Sequence, residues 1–264
     1  MGNTMITGKR MSVIKKNLLP LLFVLLLSRH TFAGEIIVVA AANLAPVMDE
    51  FKSVFEKGSH DKIKIVIGSS GKLTAQIENG APFDVFLSAD TEYPEILHKK
   101  KLTLSAPKVY AYGVLVLWTT RIKDLSKGIT ILSDPEIKKI AIANPHVAPY
   151  GRETVKALEY CKIYQNIEKK LVYGESIAQA NDFIVSGSAD IGFTSKSSVL
   201  APNLKEKGVW IEIPAEAYSR IAQSAVILNH ARESDMETAK KFYELLYSAQ
   251  AGEIFRKYGY TVHE

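Results

Sequence analysis

The chain passes from an apolar run, Ile63-Lys64-Ile65-Val66-Ile67, into Gly68-Ser69-Ser70-Gly71-Lys72 and then Leu73-Thr74-Ala75-Gln76-Ile77-Glu78. The first stretch reads as a strand and the last as the opening of a helix. A strand that ends in small hydroxyl residues at a helix start leaves backbone N–H groups pointing at one spot, a cradle for an anion. The same arrangement recurs along the chain.

Working outward, Ile36-Ile37-Val38-Val39-Ala40 predicts a buried strand and Ala45–Phe55 its helix, with Leu44, Val47, Met48, Phe51, Val54 and Phe55 on one face. Strands at 63–67 and 84–87 follow, with helices at 72–78 and 93–101. This β-α order predicts a parallel sheet with right-handed crossovers. The pattern breaks at Gly113–Trp118, an apolar run without an immediate helix. A second series starts at Ile140-Ala141-Ile142-Ala143. It continues with helices at 152–161 and near 177–186 and a strand at 191–194. Ala225–Leu228 is a further apolar run, and helices at 236–247 and 252–258 close the chain. The pattern predicts two α/β lobes, each a mostly parallel sheet flanked by helices. Two extended strands near 114–118 and 225–228 join them, and the last helices return to the first lobe. Residues 34–113 with 226–264 form lobe 1, and 114–225 form lobe 2.

Residues 1–33 read as a secretory signal. Lys9, Arg10, Lys15 and Lys16 are its basic region, Leu18–Leu27 its apolar core, and Thr31-Phe32-Ala33 its cleavage site. Met11 is an alternative start. Five of the 33 basic residues precede Gly34 and none of the 28 acidic ones does, so the mature chain carries 28 of each. With no net charge and no basic stripe, nucleic acid is not the expected partner. Cys161 is the only cysteine, which excludes an internal disulfide. It ends an apolar helical stripe and reads as a buried thiol.

In open α/β sheets, ligands bind beyond the carboxyl ends of the strands. Four such ends stand out: Ala40-Ala41-Ala42-Asn43, Gly68-Ser69-Ser70-Gly71, Ala148-Pro149-Tyr150-Gly151 and Gly174-Glu175-Ser176-Ile177. Singly, each reads as ordinary helix capping. Two from each lobe, facing one cleft, make a site.

These segments carry a resemblance. Val39-Ala40-Ala41-Ala42-Asn43-Leu44, Gly68–Leu73, Gln76–Asp90 with its Gly80-Ala81-Pro82 and Ser88-Ala89-Asp90, and Ala251–Tyr260 are similar to the periplasmic molybdate-binding proteins of ABC transporters. The resemblance spans the mature chain. It implies the two-lobe periplasmic binding protein fold of type II, with a hinge. It implies a monomeric periplasmic receptor that takes molybdate or tungstate as ligand and docks on an inner-membrane permease. No cofactor and no enzymatic activity are implied, and the metal is held only as its oxyanion. The alternative is a binding protein for another anion, such as sulfate or an organic acid.

The resemblance also implies a ligand set. Asn43 stands where the family usually has Ser and offers its side-chain NH2. Ser70 matches a Ser that uses both hydroxyl and N–H. Tyr150 and Ile177 match two backbone N–H donors. Ser195 stands where a Tyr hydroxyl is common, and it is too short to reach equally far. The phenol of Tyr150 is the expected substitute.

Rival chemistries are weaker in the residues. Ser69-Ser70-Gly71-Lys72 contains S-x-x-K, yet no S-D-N or K-T-G accompanies it. Val66 stands where a phosphate-binding loop of the Walker type needs its first Gly. The six histidines have no metal-ligand spacing. Lys72 reads as a solvated helix residue.

Overall fold

The computed structural model describes residues 34–262 together with Met1 and Gly2. The signal segment expected at 1–33 therefore lies almost wholly outside the described residues. In chain order the elements are β1 (Glu35–Ala41), a 3-10 turn (Ala42–Leu44), α1 (Ala45–Ser59), β2 (Lys62–Gly68), α2 (Ser70–Glu78), β3 (Val85–Leu87) and α3 (Glu92–Lys99). They continue with β4 (Lys108–Gly113), β5 (Leu115–Thr119), β6 (Ile140–Ala143), α4 (Pro149–Tyr160), α5 (Tyr164–Ile167), β7 (Leu171–Gly174) and α6 (Ile177–Val185). The chain closes with β8 (Ile191–Ser195), α7 (Lys196–Val199), β9 (Val209–Glu212), β10 (Ile221–Ile227), α8 (Met236–Leu245) and α9 (Ala249–Lys257).

Two five-stranded sheets result, ordered β2-β1-β3-β10-β4 and β7-β6-β8-β5-β9. β1 runs parallel to β2 and β3, and β6 runs parallel to β7 and β8. One strand in each sheet is reversed: β10 pairs antiparallel with β3 and β4, and β5 with β8 and β9. The reversed strand is in each case the one that enters from the other sheet. Each sheet is thus mostly parallel, and the fold is the two-lobe α/β arrangement expected.

The crossings differ from expectation in position. β4 ends at Gly113 and β5 starts at Leu115, so the first crossing is a single residue, Val114. The second strand expected to join the halves, at 225–228, instead lies in the first sheet, where Ile221 pairs with Gly113 and Ile227 with Val85. The return crossing precedes Ile221. Three helices also begin earlier than expected, α2 at Ser70, α4 at Pro149 and α9 at Ala249.

Strand periodicity builds the cores. Successive side chains of a strand point to opposite faces. In β1, Ile36, Val38 and Ala40 pack with α1, α8 and α9 side chains such as Phe51, Phe242 and Phe255, whereas Val39 packs with Leu73 and Ile77 of α2. The second sheet repeats this: Leu115 and Leu117 join one cluster, Val116 and Trp118 the other. Burying a Leu, Ile, Val or Phe side chain stabilises by roughly 1.5–3 kcal/mol. Both faces of each sheet are therefore committed, and only the strand ends remain for function. Phe51 and Phe255 meet at 5.0 Å between ring centroids, which ties the last helix to the first lobe.

Candidate anion-binding site

The first corner is the 3-10 turn after β1. Its preceding residue, Ala41, has no side chain able to cap, so the leading N–H groups of the turn are uncovered. At the second corner, Ser69 has extended backbone and makes no side-chain capping bond to α2. At the third, Ala148 again cannot cap, and Pro149 opens α4. Proline is preset for a first helical position and lacks an N–H. Gly151 and Arg152 both donate to the Ala148 carbonyl, at 2.9 and 3.2 Å, which leaves the Tyr150 N–H as the leading open donor. The fourth corner is the start of α6, where Ser176 accepts from Gln179 N–H at 3.4 Å, ahead of the Ile177 N–H. Side-chain capping like that of α6 recurs away from the cavity, where Asp235 caps α8 and Ser248 caps α9, and at α7, which Ser195 caps.

The four corners converge. Asn43, Ser69, Ser70, Ala89, Tyr150 and Ile177, with the alanines at 41, 42 and 148 and Pro149, line one tight cavity. No Asp, Glu, Lys, Arg or His lines it. Its polar groups are amides and hydroxyls. Burial pushes the phenols of Tyr110, Tyr150 and Tyr260 well up or up from their ordinary value, so they remain neutral and protonated. A larger groove bordered by Asp49, Asn181 and Lys207 carries both signs of charge and suits a compact dianion less well.

Four of the five residues singled out in the sequence meet in this cavity: Asn43, Ser70, Tyr150 and Ile177. Ser195 does not line it. Its Oγ is fully buried, lies 2.9 Å from Ser197 Oγ and 2.8 Å from Ser198 Oγ, and accepts the Ser198 N–H as the cap of α7. The local hydroxyls and the new helix start claim it.

Asn43 also differs from expectation. Its side-chain NH2 donates to Gln223 Oε1 and to Tyr260 OH, both at 2.9 Å. Its carbonyl accepts from Ser197 Oγ at 2.7 Å and from Tyr260 OH at 2.8 Å. The amide is therefore held by the protein, and the backbone N–H is what Asn43 has left for a ligand. The phenol of Tyr150 is engaged as well, accepting from Gln223 Nε2 at 3.3 Å.

Ser70 is poised as a donor. Its Oγ accepts the Ala89 N–H at 3.0 Å, so its own proton is available to a second partner. Ser69 went unassigned from sequence. Its Oγ is buried, lines the cavity and has no hydrogen-bond partner among the described residues. A buried hydroxyl without a partner costs roughly 1–3 kcal/mol, which a bound acceptor recovers. Doubling of the small hydroxyl residue at the helix start was its one sequence signal.

The halves meet around the cavity. Gly71 N–H donates to the Val147 carbonyl at 2.9 Å, and Tyr93 OH to the His146 carbonyl at 3.3 Å. Arg152 pairs closely with Asp90 and lies 3.2 Å from Glu92. Burial raises the Asp90 carboxyl against the pull of Ser88 and Arg152. Lys72 pairs with Glu175 across the rim, both about half exposed.

Two α/β halves that close over an uncharged, donor-lined cavity define a class: a two-lobed receptor for a small solute. The sequence pattern of the family described as bacterial extracellular solute-binding protein matches residues 36–261, and the chain belongs to that family. It is 36% identical over 229 residues to the molybdate-binding protein ModA of Azotobacter vinelandii, covering 86% of this chain and 90% of that protein. It is also 36% identical over 233 residues to ModA of Rhodobacter capsulatus, covering 87% and 89%. Among solved structures, the periplasmic molybdate-binding protein of Azotobacter vinelandii superposes with a TM-score of 0.80 at 31% identity, covering 87% of this chain and all of that one.

Proposed function

We propose that this chain binds molybdate or tungstate in the cavity and delivers it to an ABC transporter permease. The observation that carries the reading is the uncharged lining of amides and hydroxyls shared between both halves, in a chain 36% identical to ModA proteins. The proposed ligand set is the backbone N–H groups of Asn43, Ser70, Tyr150 and Ile177 and the hydroxyls of Ser69 and Ser70. The receptor acts as a monomer in the periplasm after loss of its signal segment and performs no chemical step. Its lobes, taken from strand pairing, are 34–113 with 221–262, and 114–220. They close because the anion bonds to both only when they are together.

Molybdate at neutral pH is a bare dianion whose oxygens only accept hydrogen bonds. Phosphate keeps a proton that needs an acceptor, and this lining offers it no carboxylate. Sulfate is smaller, so rigid donors spaced for molybdate sit too far from some of its oxygens. About six hydrogen bonds to a charged ligand, at ~1.5–3 kcal/mol each, offset the association cost and leave the ~8 kcal/mol of micromolar binding without any Lys or Arg contact.

Calorimetry with molybdate, tungstate, sulfate and phosphate tests this. One-to-one heats with the first two and none with the others are expected. No heat and no thermal shift with molybdate or tungstate rejects the reading.

Two variants refine it. Lys72→Ala removes only an exposed ion pair, so molybdate Kd is expected to change less than about twofold. Ser69→Ala removes a hydroxyl with no protein partner. The free protein is expected to melt at an unchanged or slightly higher temperature while molybdate Kd rises by about fivefold or more. A Kd equal to the parent's would take Ser69 out of the ligand set.

A further inference from the structure

Gln223 is fully buried and stands in β10 where the register against β4 shifts. Its Oε1 accepts from Asn43 Nδ2 at 2.9 Å and from Tyr110 OH at 3.0 Å. Its Nε2 donates to Tyr150 OH at 3.3 Å. Asn43 belongs to the first-sheet side of the cavity, and Tyr150 opens α4 on the second-sheet side. One amide is thus bonded to both halves of the wall. Of the other bridges, Gly71 to Val147, Tyr93 to His146, Arg152 to Asp90 and Lys72 to Glu175 join backbone turns or charged groups at the rim, and Ser197 reaches the Asn43 carbonyl but not the second-sheet side of the cavity wall at Tyr150.

The crossing point is shaped to allow this. A Cβ on Gly113 would lie 2.0 Å from Tyr150 Oη and 2.5 Å from Gln223 Nε2. The absent side chain at the first crossing is the gap through which the Tyr150 phenol reaches the amide. A carboxamide also has the unusual ability to accept at one end and donate at the other. Accepting from Asn43 and Tyr110 while donating to Tyr150 uses both ends, and it sets the direction of every proton in the chain of bonds. With Gln223 N–H on its oxygen, the Tyr150 hydroxyl has its own proton turned away from Gln223.

We propose that Gln223 is a positioning residue for the anion site, one that registers Asn43 against Tyr150 across the closed cleft and keeps the polarity of the wall donor-rich. The proposal rests on the reading of the cavity as an oxyanion site. Gln223 does not touch the ligand; it acts through the two residues that do. A carboxylate at this position accepts only. It would draw the Tyr150 proton onto itself and place a negative charge beside the bound dianion. Protonation restores a neutral group with a donor, so the defect of such a variant is reversible with pH.

The titratable groups packed around Gln223 are Tyr110 on β4, Tyr150 on α4 and, through Asn43, Tyr260. Burial keeps all three protonated. Asp90, whose carbonyl accepts from Ser224 next door, is paired with Arg152. Its contribution is common to parent and variant and cancels when their affinities are compared at one pH.

The test is molybdate calorimetry on the parent protein, Gln223→Glu and Gln223→Met between pH 6 and 8. Gln223→Met is expected to weaken binding by about tenfold or more at all pH values. Gln223→Glu is expected to weaken it by about tenfold or more at pH 8 and to recover most of that loss by pH 6, because burial raises a carboxyl pKa. Both variants within twofold of the parent at pH 8, or a Gln223→Glu loss that ignores pH, overturns the proposal. A parent protein that gives no heat with molybdate instead refutes the oxyanion reading, and the role of Gln223 with it.

Discussion

Ser70→Ala is expected to weaken molybdate binding by at least about tenfold, with the parent's fold retained, because one hydrogen bond to a charged group is worth ~1.5–3 kcal/mol. The Oγ of Ser70 already accepts the Ala89 N–H at 3.0 Å. That bond holds the oxygen in place and leaves its proton to be donated to a ligand, which lowers the ordering cost at binding. The residue also stands at the first position of α2, where its backbone N–H has no partner within the helix. Alanine retains that N–H and loses the hydroxyl. It further strands the Ala89 N–H, which links the site to the Ser88-Ala89-Asp90 turn. Calorimetry at neutral pH reads the change. A Kd within twofold of the parent would remove Ser70 from the ligand set and leave the four-corner geometry without its strongest side-chain donor.

Gly151→Ala is expected to lower both stability and affinity. A Cβ there would lie 2.2 Å from the Ala143 carbonyl oxygen and 2.9 Å from the Ala143 carbon and the Pro145 nitrogen. All three are backbone atoms at the end of β6 and cannot swing aside as a side chain would. The start of α4 must therefore lift from the sheet. Overpacking of this kind costs about 1–3 kcal/mol or more, and each kcal/mol lowers the melting temperature of a domain this size by about 2–4 °C. The Tyr150 N–H is one residue away, so molybdate Kd is expected to rise by about tenfold or more. Thermal melting and calorimetry on one sample check both. Unchanged values would contradict the contact of α4 with β6.

Much of this fold was legible along the chain. β1, β6 and β8 are largely apolar runs of four to seven residues, β2 alternates Lys with Ile before Val66, and α1 and α8 carry clear stripes. β7 and β9, at four residues each with partly exposed faces, carried too little pattern to stand out. Two helices at the cavity, α2 and α4, begin earlier than expected for a physical reason. Ser69 and Ala148 do not cap with side chains, and an uncapped start lacks the usual sequence mark.

Strand-to-helix corners depend on neighbours in sequence, so the corners that hold Ser70, Tyr150 and Ile177 were visible in the chain itself, and the resemblance singled out those three residues. Local order also carried the two-lobe α/β class, because hydrophobic periodicity and turn chemistry act over a few residues. Side-chain direction inside the wall depends on groups far away. Gln223 is 180 residues from Asn43 and Tyr260 is 217 away, and these two turn the Asn43 amide from the ligand toward the protein. Ser195 was drawn into capping α7 by Ser197 and Ser198, and Ser197 also reaches across to the Asn43 carbonyl. Such choices come from competition among buried donors for acceptors, and only the packed tertiary structure brings those competitors together.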